Sequence, residues 1–266
     1  MSALPCFHSR LLLEQALRSV SDYRQGVYSL DVEQQTQAHM LAQRLTVGEQ
    51  FWISFADQNA ALFEVVESAK RRGIPARVRI CRTEQIQSRH TLTLIQGISA
   101  TDRMDTTIRQ VTELGVSTII PLSSQRSIIR LDDQRKHART ERWQRISISA
   151  AEQSGQLTVP DIHEPIGLGQ TLALLSGYDV LICCWEETGG LSIRDALKQS
   201  LTDGASPKVA LFIGPEGGFS VSEVDCMRQH GAIVATLGNT ILRTETAAVV
   251  ASALVLYELG HLGNGG

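Results

Sequence analysis

Five consecutive apolar residues, Val209-Ala210-Leu211-Phe212-Ile213, run directly into Gly214-Pro215-Glu216-Gly217-Gly218-Phe219 and then Ser220-Val221-Ser222-Glu223. A short, wholly apolar run of this kind is a strand covered on both faces, the situation of a parallel sheet under helices. The Ser-x-x-Glu spacing marks a helix start, because the two side chains accept from each other's orphan backbone N–H groups. A glycine-rich loop therefore sits between a strand end and a helix N-terminus. Open α/β sheets bind ligands at such junctions, where backbone N–H groups are unpaired and glycine admits close approach. The same glycines also suit a tight turn that needs positive φ angles. The spacing is neither a Walker loop nor GxGxxG, so phosphate cradling is not indicated.

A second junction follows. A helix ending at Gly231 leads to a strand over Ala232 to Leu237. Then Gly238-Asn239-Thr240-Ile241-Leu242-Arg243-Thr244-Glu245-Thr246-Ala247 enters an apolar helix reaching Gly260. Charged residues wedged against so apolar a run lie at the mouth of the sheet or pair with each other inside it. Upstream, Thr91 to Gln96 reads as a strand and Asp102 to Leu114 as a helix with Met104, Ile108 and Val111 on one face, stopped by Gly115. Ser117 to Leu122 reads as a strand, Thr140 to Ser154 as a helix capped by Thr140, and Tyr178 to Trp185 as another apolar strand. Strand-helix alternation predicts an open, mainly parallel α/β sheet.

The first part differs in texture. Phe51 to Phe55 and Ala61 to Val66 read as a hairpin, Ala76 to Cys81 as a third strand, and Val32 to Leu45 as a helix. These predict a small β-rich barrel over residues 1–75 and an α/β domain over 76–266. With 42% hydrophobic residues among 266, the chain buries a sizeable core and is not disordered. Its five cysteines, odd in number and without a CxxC pair, exclude a disulfide scaffold and read as reduced thiols of a cytoplasmic protein. The Leu11-Leu12-Leu13 run is broken up by Arg10, Glu14 and Arg18, so no signal peptide is expected. Ala247 to Leu256 is too short to span a bilayer. The seven histidines show no ligand spacing, so no metal is expected.

The formal net charge of −3 hides two cationic islands. Glu67 to Arg89 holds seven basic against two acidic residues, including Arg77 and Arg79. Arg126 to Arg145 holds seven against three, including Arg126, Arg130, Arg135 and Arg139. Two such islands in an otherwise acidic chain suit a local polyanion contact, while either alone suits a solvated surface equally well.

Gly214-Pro215-Glu216-Gly217-Gly218, with Leu237-Gly238 and Ile241-Leu242-Arg243-Thr244-Glu245-Thr246-Ala247, resembles the RsmE-type family that methylates N3 of a uridine in small-subunit (16S) ribosomal RNA. That family belongs to the SPOUT superfamily. His39 to Gly48, Asp102-Arg103-Met104, Thr112 to Val116, Ser124 to Ser127 and Ala150 to Ser154 match it in order, so the resemblance spans nearly the whole chain. Three positions depart from the family's usual pattern, each losing a cation: Ala100, Gln110 and Gln156.

The resemblance implies an N-terminal PUA-like RNA-binding barrel, a C-terminal SPOUT domain threaded through a trefoil knot, a homodimer, and S-adenosylmethionine (AdoMet) as cofactor. Ordinary chain-connection rules would have argued against a knot. Carried onto this chain, the cofactor residues are Ile213, Gly214, Glu216, Gly217, Gly218, Leu237, Gly238, Ile241, Leu242 and Thr246. Glu216 either approaches the sulfonium or ammonium group or braces its turn. Arg243 would stabilise the uridine anion and Glu245 would position Arg243 or relay the proton. Arg126, Arg130, Arg135, Arg139, Arg77 and Arg79 would contact phosphates of ribosomal RNA or the small subunit. Two alternatives stay open: a SPOUT enzyme acting on transfer RNA or a ribose 2′-hydroxyl, and a non-catalytic RNA-binding module.

Overall fold

The computed structural model describes residues 4–9, 11, 13–19, 26–56, 58–68, 75–86, 91–127, 129, 131–186, 190–200 and 206–262. The chain forms two compact units, Met1–Gln87 with Ile148–Val159, and Ser88–Ser147 with Pro160–Gly266.

The first unit contains β1 (Cys6–His8), α1 (Leu13–Ala16), β2 (Leu17–Ser19), β3 (Val27–Leu30), α2 (Gln34–Gln43), β4 (Gln50–Ser54), β5 (Asn59–Ser68) and β6 (Pro75–Gln85). Its six strands lie in the order β1-β4-β5-β6-β3-β2, antiparallel except for β1 on β4. The expected hairpin is β4–β5, in which Phe51 faces Phe63 with ring centroids 5.6 Å apart. Phe7, Met40, Phe55, Val65 and Val78 complete the buried cluster around them. Because β6 pairs with β5 and β3, this sheet continues past residue 75, and the passage to the second unit falls between Gln87 and Ser88.

The second unit begins with β7 (Thr91–Gly97), α3 (Thr101–Leu114), β8 (Thr118–Ser123), α4 (Asp133–Ser154, whose residues from Ile148 on belong to the first unit), β9 (Asp161–Ile162) and β10 (Ile166–Gly167). It continues with α5 (Leu168–Leu174), β11 (Val180–Cys184), α6 (Ile193–Ser200), β12 (Lys208–Ile213), α7 (Val221–Gln229), β13 (Ile233–Ala235) and α8 (Thr244–Glu258). All seven strands pair in parallel, in the order β10-β8-β7-β12-β11-β13 with β9 also on β8. Strand β12 shows why its sequence is uniformly apolar. Val209, Leu211 and Ile213 join the cluster containing Met104, Ile108, Ala248 and Val255, while Ala210 and Phe212 join the one containing Leu172, Val224 and Met227. Alternate side chains thus enter two different cores.

Helix α4 starts earlier than expected. Asp132 accepts a hydrogen bond from Arg135 N–H at 2.9 Å and its carbonyl accepts from Lys136 N–H at 2.9 Å, which is N-cap geometry. Thr140 therefore lies inside the helix, with its hydroxyl donating to the Lys136 carbonyl, and does not cap it. No helix of the described residues is long and apolar enough to cross a membrane.

Neighbouring β7 and β12 end against each other with no spare room. A Cβ added at Gly97 would lie 2.4 Å from Pro215 N and 2.5 Å from its Cδ. Gly97→Ala must therefore push the β12 loop away, and the expected cost is about 3 kcal/mol or more of unfolding free energy, read as a lower denaturant midpoint. An unchanged midpoint would show that the two chains are not in contact.

Candidate active site

The carboxyl edge of the second sheet gathers the ends of β7, β12 and β13 and the start of α8. After β12 the chain turns through Gly214 to Gly218, closed by Gly218 N–H donating to the Pro215 carbonyl at 2.9 Å. Gly218 has φ +64, a left-handed value that favours glycine. The loop delivers Ser220 to the N-cap of α7, and the predicted capping box with Glu223 is present.

Glu223 does more than cap. It is buried, and its Oε1 accepts from Gln125 N–H at 2.8 Å while Oε2 accepts from Ser220 N–H at 2.9 Å. The Ser220 hydroxyl also donates to Gln125 Oε1 at 2.9 Å. One carboxylate thereby ties the 123–127 segment to the glycine-rich loop. Arg126 lies beside that loop, donating from Nη1 to the Gly217 carbonyl at 3.1 Å.

Glu216 turns away from the loop centre. Its Oε1 accepts from Ala100 N–H at 2.9 Å, the N-cap of α3, and lies 3.3 Å from Arg103 Nη1. A carboxylate at a helix N-terminus satisfies an orphan N–H and opposes the helix dipole. Its Oε2 is buried without a hydrogen-bond partner.

The second junction is joined to the first through Thr244. The Thr244 hydroxyl donates to the Gly214 carbonyl at 2.6 Å and accepts from Gln96 Nε2 at 2.9 Å. Sequence inspection did not single out Gln96 or Thr244. The available signal was an amide-bearing residue at the end of an apolar strand, directly before Gly97. Arg243 is the exposed N-cap residue of α8, and Glu245 is half-buried in the first turn with its Oε2 unpartnered. Among the described residues the two form no ion pair with each other. Leu237 and Leu242 are half-buried, Gly238 and Thr246 exposed, and the Ile241 side chain 82% exposed. Among the described residues, the peptide groups of Leu237, Ile241 and Leu242 make no hydrogen bond to another residue.

Among the described residues, six of the nine cations in the two expected islands pair with carboxylates. Arg77 faces Glu67 and Arg79 faces Glu64 across the β5–β6 ladder, at 3.3 and 3.2 Å, and Arg82 pairs with Glu84. On α4, Arg135 lies 3.5 Å from Asp132, Lys136 2.9 Å from Asp133, and Arg142 holds Asp105 through two nitrogens, the shorter contact 2.6 Å. The Asp105 carboxylate raises the Arg142 pKa further. Counting charge along a segment missed Glu64 and Asp105 because they come from other elements. Arg139 is half-buried with a buried, unpartnered Nη1, and Arg130 lies outside the described residues. Within the first unit, His39 Nδ1 meets Glu152 at 2.6 Å, joining two of the matched segments 113 residues apart. Burial raises the Glu152 pKa and the His39 contact opposes that shift.

A family model described as an RNA methyltransferase domain matches residues 87–256. The chain belongs to this family. It is 33% identical over 168 residues to ribosomal RNA small subunit methyltransferase E of Bacillus subtilis, covering 62% of this chain and 65% of that protein. The match therefore spans slightly under two thirds of that relative's length. The Mycobacterium tuberculosis protein of the same name is 29% identical over 194 residues, 72% of each chain. Among solved structures, the Neisseria gonorrhoeae methyltransferase E bound to S-adenosylmethionine is 28% identical, with TM-score 0.76 over 96% of this chain and 97% of that one. A putative methyltransferase from Legionella pneumophila, also with bound S-adenosylmethionine, is 26% identical with TM-score 0.74, over 96% and 97%. These agree with an N-terminal β-sheet domain followed by a parallel sheet with helices.

The Glu216 geometry has a measurable consequence. Glu216→Gln removes the charge from the α3 cap and from Arg103, and the expected loss is about 1–2 kcal/mol of unfolding free energy at unchanged m-value. Full stability in that variant would mean that α3 does not depend on this cap.

Proposed function

We propose that this family member transfers a methyl group from AdoMet to N3 of a uridine in small-subunit ribosomal RNA. The observation that carries the proposal is the joining of the two glycine-bearing junctions through Thr244, which brings Arg243 and Glu245 to the edge that also presents Gly214 to Gly218. The solved relatives bound to S-adenosylmethionine and the relatives named for the small subunit support the same reading.

The residues present fit an adenosyl ligand with an amino-acid tail. A flat adenine needs an apolar slot with backbone donors and acceptors at its edge. Leu237, Ile241 and Leu242 offer apolar side chains together with peptide groups unpaired among the described residues. We assign Ile213, Gly214, Gly217, Gly218, Leu237, Gly238, Ile241, Leu242 and Thr246 to holding the cofactor. Glu216 is assigned to bracing the loop, with its unpartnered Oε2 available to a donor. When bound, AdoMet supplies a methyl group on a sulfonium, so the protein's task is orientation.

Uridine N3 must lose its proton before it attacks. At a pKa about two units above neutrality, this costs about 2.7 kcal/mol at 1.36 kcal/mol per unit. A guanidinium in contact shifts an acid by about one to three units, enough to cover that cost. Arg243, exposed at the head of α8 and without a carboxylate partner among the described residues, has its guanidinium available for a uridine carbonyl oxygen. Glu245, one residue beyond Thr244, positions Arg243 or relays the proton.

We assign phosphate contact to Arg126 first, because it touches the glycine-rich loop, and then to Arg130, Arg135, Arg139, Arg77 and Arg79. The ion pairs around several of these do not disqualify them, since exposed pairs contribute only about 0–1 kcal/mol and exchange readily for phosphate. A ribosomal substrate places the protein in the cytoplasm. A second copy of the chain is the proposed cover for the apolar outer side of α8, where Leu254 and Tyr257 are 41% and 57% exposed. The trefoil knot belongs to the same proposal.

The test is methyl transfer to unmethylated ribosomal RNA and to small subunits, with the product base mapped. N3-methyluridine is the expected product. A ribose methyl or a transfer RNA product would overturn the substrate assignment. Arg243→Ala should lower kcat by about 100-fold with AdoMet affinity, measured by calorimetry, within about threefold. Full turnover in that variant contradicts the role given to Arg243.

A further inference from the structure

Gln96, the residue before the last of β7, has no exposed surface; its Nε2 makes two hydrogen bonds, while its Oε1 is buried without a partner among the described residues. Its orientation follows from its neighbours. The atom 3.0 Å from the Gly97 carbonyl must be a donor, hence Nε2. The same nitrogen lies 2.9 Å from Thr244 Oγ1, whose only proton is committed to the Gly214 carbonyl at 2.6 Å. The bonds therefore run in one direction, from the Gln96 amide to the Thr244 hydroxyl to the Gly214 carbonyl. They link β7, the start of α8 and the loop after β12.

The two ends of this chain of bonds are not equally dependent on it. The 214–218 loop is also held by the close approach of Gly97 to Pro215, by the Gly218–Pro215 hydrogen bond and by Glu216 on α3. The first turn of α8 has less. Arg243 makes no side-chain cap hydrogen bond, and the buried Thr244 is the residue of that turn that reaches another element through a hydrogen bond, among the described residues.

We propose that Gln96 is a positioning residue for methyl transfer, fixing through Thr244 the place of Arg243 and Glu245 relative to the cofactor loop. This rests on the function proposed above, in which Arg243 stabilises the reacting base. Gln96 touches neither substrate nor cofactor in this account. Its effect falls on kcat, because the loop that holds the cofactor keeps its other supports.

Two near-isosteric variants remove the link without opening a large cavity, Gln96→Met and Thr244→Val, and Thr244→Ser restores the hydroxyl. Hydrogen–deuterium exchange of the unliganded protein should show the Ala247 amide, which donates to the Arg243 carbonyl, and the next amides of α8 exchanging about 10-fold faster in the first two variants, with the last turn unchanged. The same variants should lower kcat by about 10-fold with KM for AdoMet within about threefold, and the double variant should lose no more than either single. Thr244→Ser should behave as the parent protein. Unchanged exchange, losses that multiply in the double variant, or a Thr244→Ser protein as impaired as Thr244→Val each overturn the proposal. Should Gln96→Met fail to fold, the two Thr244 variants decide the matter. Full turnover in Arg243→Ala would instead overturn the function while leaving the exchange result intact.

Discussion

Where β7 and β12 end, two backbones pass so closely that the Gly97 position has no room for even a methyl group. The Thr244 hydroxyl at the start of α8 accepts from the Gln96 side chain of β7 and donates to the Gly214 carbonyl after β12. The rest of the second unit depends on this meeting. Buried backbone that has left a sheet must find other partners, and here a side-chain amide and a hydroxyl supply them. Its consequence is that the loop after β12 and the charged head of α8, separated by some thirty residues, share one rigid edge. A catalytic arrangement needs just such a fixed relation between the group that binds and the group that reacts.

Carboxylates around this edge act mainly as structural ties. Glu216 closes the N-terminus of α3, and Glu223 joins α7 to the segment carrying Arg126. Each satisfies backbone N–H groups that a loop-rich edge would otherwise leave unpaired. The cations are arranged differently. In the second unit Arg103, Arg135 and Arg142 have carboxylate partners, whereas Arg126 rests on a backbone carbonyl and Arg243 has no carboxylate partner among the described residues. Cationic character at the edge is therefore concentrated in a few side chains.

Much of this was legible in the residues. The apolar run before Gly214, the Ser220–Glu223 spacing and the stop at Gly115 each specify a local structure by themselves, and each is present. Long-range partners were not legible. Nothing near Arg142 in the chain points to Asp105, and nothing near Glu216 points to Ala100. Thr140 misled because a threonine next to a helical pattern reads as a cap, although the true cap, Asp132, lies a further two turns upstream. The division at residue 75 marks the point where Pro75 opens β6, a strand of the first sheet, and the first unit runs on to Gln87.

The central claim is that the tied strand ends and the head of α8 together hold the methyl donor. A crystal structure of the protein with S-adenosylhomocysteine, the demethylated product form of that donor, tests it most directly. The adenosyl group is expected against the backbone of Gly214 to Gly218, Leu237 and Leu242, with the sulfur on the side of Arg243. A ligand bound elsewhere, or an edge that admits none, would contradict it.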